Sequence, residues 1–159
     1  MYLLDADVAI QPKNLYYDIA PGFWEWLLDA HDRGLAYTVD RVKREVDRGQ
    51  DDLTRWLADA PGSFCLPFER ADQGAIGHLM TWAQSSGFTL AAVNTFAASA
   101  DLFLVAKAAA RGWTVVSHET QADPNARKRI KIPNACQELE VGCIGLLELM
   151  RWERVELRR

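Results

Sequence analysis

The strongest constraint on this chain is a repeated alternation of very short apolar runs with longer stretches at helical spacing. Tyr2-Leu3-Leu4 opens the sequence as a continuous apolar run ending in Asp5-Ala6-Asp7, the pattern of a strand buried on both faces. Pro21 stands where a helix would begin, Phe23, Trp26, Leu27 and Ala30 follow at helical spacing, and Gly34 stops them. Leu35-Ala36-Tyr37-Thr38-Val39 is a second strand candidate, and Asp40 is placed to cap a helix carrying Val42, Glu45 and Val46. Gly49 breaks that helix, Leu53, Trp56 and Leu57 mark the next, and Phe64-Cys65-Leu66 is a third strand candidate. Ile76, Leu79, Met80 and Ala83 form a further helical stripe. Leu102-Phe103-Leu104-Val105-Ala106 with Ala108-Ala109-Ala110 is apolar nearly all round, as a buried helix is. Gly112 ends it, and Trp113-Thr114-Val115-Val116-Ser117 reads as a β-branched strand. Pro133 opens a helix through Cys136 and Leu139, and Leu146, Leu147, Leu149 and Met150 mark the last one. Strand and helix in alternation predict an α/β fold around a parallel sheet.

A chain of 159 residues predicts one domain spanning 1–159. The net charge of −4 excludes a protein that coats nucleic acid by charge alone, but it suits an acidic site that holds a cation. No apolar run approaches the ~18 residues of a membrane span, and Met1-Tyr2-Leu3-Leu4-Asp5 carries no basic leader. The expectation is a cytoplasmic protein with no membrane partner. Three cysteines without a C-x-x-C motif indicate neither a disulfide framework nor a zinc site. Cys136 and Cys143, seven residues apart, read as core positions, on one helix if it runs that far.

Ligands of such folds lie beyond the carboxyl ends of the strands. Asp5, Asp7, Asp40 and Glu119 stand there, Asp101 heads the most apolar helix, and Glu45 neighbours Val42 and Val46. Each has a plain alternative: Asp5 a turn residue, Asp101 an N-cap, Glu45 a solvated side chain, Glu119 part of a surface loop. Together they would repel, by ~1 kcal/mol per pair at 4 Å in water and about 4 at intermediate dielectric. A divalent cation offsets that. With no His/Cys cluster in competition, Mg²⁺ or Mn²⁺ is the expected ion, and such sites suit phosphoester chemistry. Arg127, Lys128, Arg129 and Lys131 form the densest basic cluster, either phosphate contacts or a solvated loop. Arg44, with Arg41, Lys43 and Arg48, extends a basic rim along the Glu45 helix. His118 points outward from a strand end, and His31 and His78 read as helix-surface residues without partners. Trp24, Trp26 and Trp56 read as core or dimer packing in preference to base stacking.

Four segments carry a resemblance: Tyr2-Leu3-Leu4-Asp5-Ala6-Asp7-Val8, Val42-Lys43-Arg44-Glu45-Val46, Ala100-Asp101-Leu102-Phe103-Leu104-Val105-Ala106 and Val115-Val116-Ser117-His118-Glu119. In this order they resemble PIN-domain proteins of the VapC-like toxin ribonuclease type. The segments 11–26 and Lys131-Ile132-Pro133-Asn134-Ala135-Cys136 resemble, more narrowly, a PIN-related bacterial family. The resemblance implies a three-layer α/β/α sandwich with a central parallel sheet and Mg²⁺- or Mn²⁺-dependent cleavage of RNA by water. It implies Asp5, Glu45, Asp101 and Glu119 as metal ligands, with Ser117 supporting them, a protein antitoxin as partner, and room for a homodimer. Asp7 stands where PIN proteins often carry Asn, Ser or Thr, and Glu119 where Asp is common. Two other readings compete. Asp5-Ala6-Asp7-Val8 also fits the nucleophile motif of haloacid-dehalogenase-type phosphatases, with Thr38 and Lys107 as poorly placed later motifs. A non-catalytic binding module on the same scaffold is the third.

Overall fold

The computed structural model describes residues 1–10, 21–48 and 52–156. Residues 11–20 and Gly49, on which some expectations fell, lie outside these.

Strand β1 (Tyr2–Leu4) leads through the short helix α1 (Ala6–Ile10) to α2 (Pro21–Asp32), β2 (Ala36–Val39), α3 (Asp40–Val46) and α4 (Asp52–Asp59). Then come β3 (Cys65–Leu66), α5 (Gln73–Ser85), α6 (Leu90–Ala98), α7 (Ala100–Arg111), β4 (Thr114–Val116), α8 (Ile132–Glu138), β5 (Cys143–Ile144) and α9 (Leu146–Trp152). Every strand pairing is parallel, and the order across the sheet is β3-β2-β1-β4-β5. The protein is a three-layer α/β/α sandwich around a five-stranded parallel sheet.

β1 is central because it can be. Leu3 and Leu4 are buried, and the strand bonds β2 on one side (Tyr2 opposite Ala36) and β4 on the other (Leu4 opposite Val116). The chain builds outward from β1 through β2 and β3, then returns to build β4 and β5 on the other side. The strand order therefore reverses between β1 and β4. In open parallel sheets that switch point opens a crevice at the carboxyl ends of the strands. Asp5 follows β1 there, and Ser117 and Glu119 follow β4.

Helix α7 supports the sheet from one face. Leu104, Val105, Ala106 and Ala108 are fully buried, and it packs against α5 and reaches β1, β2 and β4. Gly112 closes it at φ 65°, a left-handed cap that a side chain would strain. On the other face, Trp24 of α2 meets Trp56 of α4 with ring centroids 4.9 Å apart, and Trp56 meets Phe64 edge-on. These tryptophans are packing residues, as expected. Among the described residues no single helix is long and apolar enough to cross a membrane.

Several local expectations change. Asp40 is not a cap: Val39 holds the N-cap position, and Asp40 sits inside the first turn, paired with Arg44 one turn on at 2.8 Å. His31 is not a surface residue. It is buried, its Nδ1 3.0 Å from the Ala36 carbonyl and its Nε2 2.9 Å from Ser63 Oγ, and His78 bonds Glu138 at 2.6 Å. α1, α6 and β5 have no counterpart in the sequence pattern. α6 has only Asn94 and Thr95 as polar residues on an exposed face otherwise of Leu and Ala, too few to mark a period, and β5 is two residues long. Cys136 and Cys143 do not share a helix, because α8 ends at Glu138 and Cys143 belongs to β5.

Candidate active site

The sheet extends beyond its strands at the switch point. Asp5 N–H donates to the Val116 carbonyl at 3.0 Å, and Ser117 N–H donates to the Ile144 carbonyl at 3.0 Å. These bonds fix the backbone on both sides of the crevice. Ser117, fully buried, donates its hydroxyl to Asp5 Oδ2 at 3.2 Å and accepts the Glu119 N–H at 3.1 Å. One hydroxyl thus ties the residue after β1 to the residue beyond β4.

Asp101 and Glu45 arrive from the helices. Ser99 is the N-cap of α7, so Asp101 lies inside its first turn and is not itself the cap. Glu45 is on the exposed side of α3, yet its Oε1 accepts the Ala100 N–H at 2.9 Å. That bond satisfies one of the free donors at the start of α7 with a charge, which the helix dipole favours. It also holds α3 against α7 next to Asp101.

The carboxylates feel one another. Burial pushes Asp5 up to about 7, with the charges of Asp101 and Asp7 adding to it, against the Ser117 and Ala6 hydrogen bonds. Burial pushes Asp101 up to about 6, reinforced by Glu45, Glu119 and Asp7, with Arg129 opposing. All four acids singled out from the sequence are therefore within electrostatic reach of this crevice, and Asp7 joins them.

Glu119 is held by the basic cluster. Arg129 Nη2 lies 2.7 Å from Glu119 Oε1, while Glu119 Oε2 is buried without a hydrogen-bond partner. The other basic residues are placed differently. Arg127 turns its guanidinium to the carbonyls of Pro124 and Ala126, and Arg44 is engaged by Asp40. Lys128 is exposed and Lys131 is the N-cap residue of α8. His118 is exposed, as expected of a residue pointing off the strand end.

The donor set suits a hard divalent cation. It is all oxygen, two of its carboxyls are raised by burial and like charge, and one buried carboxylate oxygen has no partner. As they stand, no three acid, His or Cys side chains among the described residues close into a cage, and Arg129 supplies positive charge at Glu119. One feature had no signal in the sequence. Cys143 Sγ donates to the Glu119 carbonyl at 3.6 Å, a contact across 24 positions that only the β4–β5 pairing creates.

A solved structure described as FitAB bound to an IR36 DNA fragment contains a chain similar to this one, with a TM-score of 0.51 and 17% identity. The match covers 91% of this chain and 94% of that one, and it establishes the shared fold. No curated protein is significantly similar in sequence. The model of a family described as a domain of unknown function, DUF4411, matches residues 2–157, and the chain belongs to that family.

Proposed function

We propose that this protein is a metal-dependent endoribonuclease, hydrolysing RNA phosphodiester bonds, and the VapC-like toxin of a toxin–antitoxin pair. The observation that carries the reading is the meeting of Asp5 and Asp101. They come from different elements at the switch point of the sheet, both largely withdrawn from water and both raised, Asp5 in part by the charge of Asp101. Carboxyls that repel in this way cost stability unless the site uses them. The whole span 1–159 is read as one such domain.

Asp5, Glu45, Asp101 and Glu119 are the residues that would hold Mg²⁺ or Mn²⁺. When bound, such an ion supplies an activated water and stabilises charge on a phosphoryl oxygen. The chain's own groups do the rest. Ser117 orients the Asp5 carboxyl and the Glu119 backbone together. Glu45 anchors the start of α7 so that Asp101 faces the same crevice. Arg129, already at the site, takes a phosphate of the RNA, with Lys128 and Lys131 beside it in the chain. Arg127 and Arg44 would join only by giving up the partners described above. A protein antitoxin and a homodimer complete the proposal.

The phosphatase reading is weakened by what its other residues are doing. Lys107 is buried and its ammonium is held by Asp72 at 2.7 Å, Glu69 at 2.9 Å and the Pro67 carbonyl. Thr38 donates to the Leu4 carbonyl at 2.7 Å. The test is purified protein with end-labelled RNA in Mn²⁺, Mg²⁺ and EDTA, with Asp101→Asn alongside. Discrete cuts that need the metal and Asp101 support the nuclease. Intact RNA in every lane, with both proteins folded, favours the non-catalytic module, and an aspartyl-phosphate trapped on Asp5 favours the phosphatase.

A further inference from the structure

The carboxyl edge of the sheet presents residues in the order of its strands. Phe68 lies two residues beyond β3, Arg41 two beyond β2, Asp5 one beyond β1, and Glu119 three beyond β4 with Arg129 paired to it. Strands stand about 4.8 Å apart, so the row from β3 to β4 covers three spacings, about 14 Å. The half from Asp5 to Arg129 is the candidate site. The other half belongs neither to the acids nor to the core. There the Arg41 guanidinium lies over the Phe103 ring, 4.2 Å from its centroid, and Phe68 meets the same ring edge-on at 6.4 Å. Phe68 is 50% exposed. Arg41 has no carboxylate partner among the described residues, unlike Arg44, which Asp40 holds. This cluster is tied to the acids. Arg41 precedes Glu45 by four positions on α3, and Phe103 follows Ala100 by three on α7. Both therefore stand one helical turn from the bond between Glu45 and the Ala100 N–H.

We infer that Phe68 and Arg41 form a platform for the single-stranded RNA that flanks the cleaved bond: a base stacks on the exposed ring of Phe68, and the neighbouring phosphate meets Arg41. The inference deepens the nuclease reading above and rests on it for the choice of strand. Charge argues for it. The acids repel a polyanion, and Arg129 supplies a cation on the β4 side of them only. Arg41 supplies one on the β2 side. With one face on Phe103, its guanidinium keeps a rim of N–H donors for a phosphate. An aromatic ring beside an arginine is how proteins hold single strands without reading their sequence, because every base has a face to stack. Exposed apolar residues standing singly need no such explanation. Trp152 is one of these: it is 56% exposed, next to Glu153, whose carboxylate takes the Tyr2 hydroxyl at the start of β1, away from the carboxyl edge.

The experiment measures the fluorescence anisotropy of a labelled oligoadenylate of about eight nucleotides with the full chain, in EDTA and again in Ca²⁺. It is repeated with an abasic strand of the same length. Phe68→Ala should weaken oligoadenylate binding about 5-fold to 100-fold, the loss expected for one stacked base, with its salt dependence unchanged. Phe68→Tyr keeps the ring and should bind as the native protein does. The abasic strand should bind the native protein and Phe68→Ala alike. Arg41→Gln should make the slope of log affinity against log salt shallower by ~0.7, and Arg41→Lys should restore it. Trp152→Ala should change nothing. Equal affinity of the native protein and Phe68→Ala for oligoadenylate overturns the platform and leaves this face to a protein partner. An equal loss on the abasic strand also overturns it, since no stack is then involved. A native protein that binds no oligoadenylate in either condition overturns it too, whether or not RNA is cut in the cleavage test above. RNA that binds in this way but stays intact in Mn²⁺ and Mg²⁺ defeats the nuclease reading and keeps the platform.

Discussion

Arg129 and Glu119 form an ion pair at 2.7 Å in which only one carboxylate oxygen is satisfied. The second oxygen is buried and has no partner. The arginine side chain is 64% exposed and the glutamate side chain 22%, so the pair joins the exposed surface of a basic loop to the acidic crevice. The same guanidinium draws down the Asp101 carboxyl, against the three acids that raise it. Arg129 is thus a built-in counter-cation, and under the proposed function it competes for an oxygen atom that the metal would take.

Removing it should separate its two roles. Arg129→Gln frees Glu119, and an exposed ion pair contributes ~0.5–1 kcal/mol. Mn²⁺ should bind about twofold to fivefold more tightly. RNA should bind more weakly, with the slope of log affinity against log salt shallower by ~0.7, the share of one phosphate contact on a single strand. Fluorescence anisotropy across a salt series reads the second effect. An unchanged slope would remove Arg129 from the RNA interface.

Neutralising Asp101 or Asp5 should stabilise the metal-free protein while removing its activity. Asp101→Asn takes away a charge that Glu45, Glu119 and Asp7 all oppose. In EDTA the melting temperature is expected to rise by a few degrees, since ~1 kcal/mol shifts a chain of this size by about 2–4 °C. RNA cleavage in Mn²⁺ should fall by at least about 100-fold, the usual loss for one group that stabilises transition-state charge. A variant that is less stable and still active would contradict both halves.

The pH dependence of metal-free stability follows from the same two groups. Asp5 and Asp101 stand at about 7 and about 6 when folded, against ~3.9 for an unfolded aspartate. The folded state therefore holds protons that the unfolded state has lost. Their contribution is complete below about pH 4 and disappears as the pH rises through about 6 and then about 7. Thermal melts in EDTA should accordingly lose stability between pH 5 and pH 8. Asp5→Asn should flatten that slope, and Mn²⁺ should restore stability at pH 8.

Lys107 tests the competing phosphatase reading. Its side chain is 2% exposed and pairs with Asp72, which is 3% exposed. Lys107→Met leaves Asp72 charged, buried and unpaired, a loss of roughly 3–5 kcal/mol that urea unfolding would register. The double variant Lys107→Met with Asp72→Asn should recover part of that loss. In conditions where the variant remains folded, metal-dependent RNA cleavage should be unchanged. A folded variant that no longer cleaves would place Lys107 in the chemistry.

The architecture was legible where side-chain chemistry acts locally. Tyr2-Leu3-Leu4 reads as a buried strand, Gly34 and Gly112 stop helices by their own left-handed backbones, and the apolar run around Leu104 has little solvent face to offer. Other elements carry no such signature. β5 is two residues held by pairing with Val115 and Val116, and α6 is apolar enough to lack a stripe. Asp40 and His31 differ from their sequence pattern for a related reason. A capping residue and an inner helix residue have the same spacing, and only the packing around Ala36 and Ser63 decides that His31 is buried.

The acids show the same division. Which residue types stand at the ends of strands, and in what order, is a property of the sequence, because strand ends follow from local apolar runs. Whether they meet is not. Asp5, Glu45, Asp101 and Glu119 are brought into one field by the reversal of strand order between β1 and β4 and by the Glu45 bond to the start of α7. The pairing of Arg129 with Glu119 and the contact of Cys143 with the Glu119 carbonyl also belong to the tertiary structure alone. Electrostatic and hydrogen-bond energies depend on distance in space, and distance across a sheet is set by the packing of the whole chain.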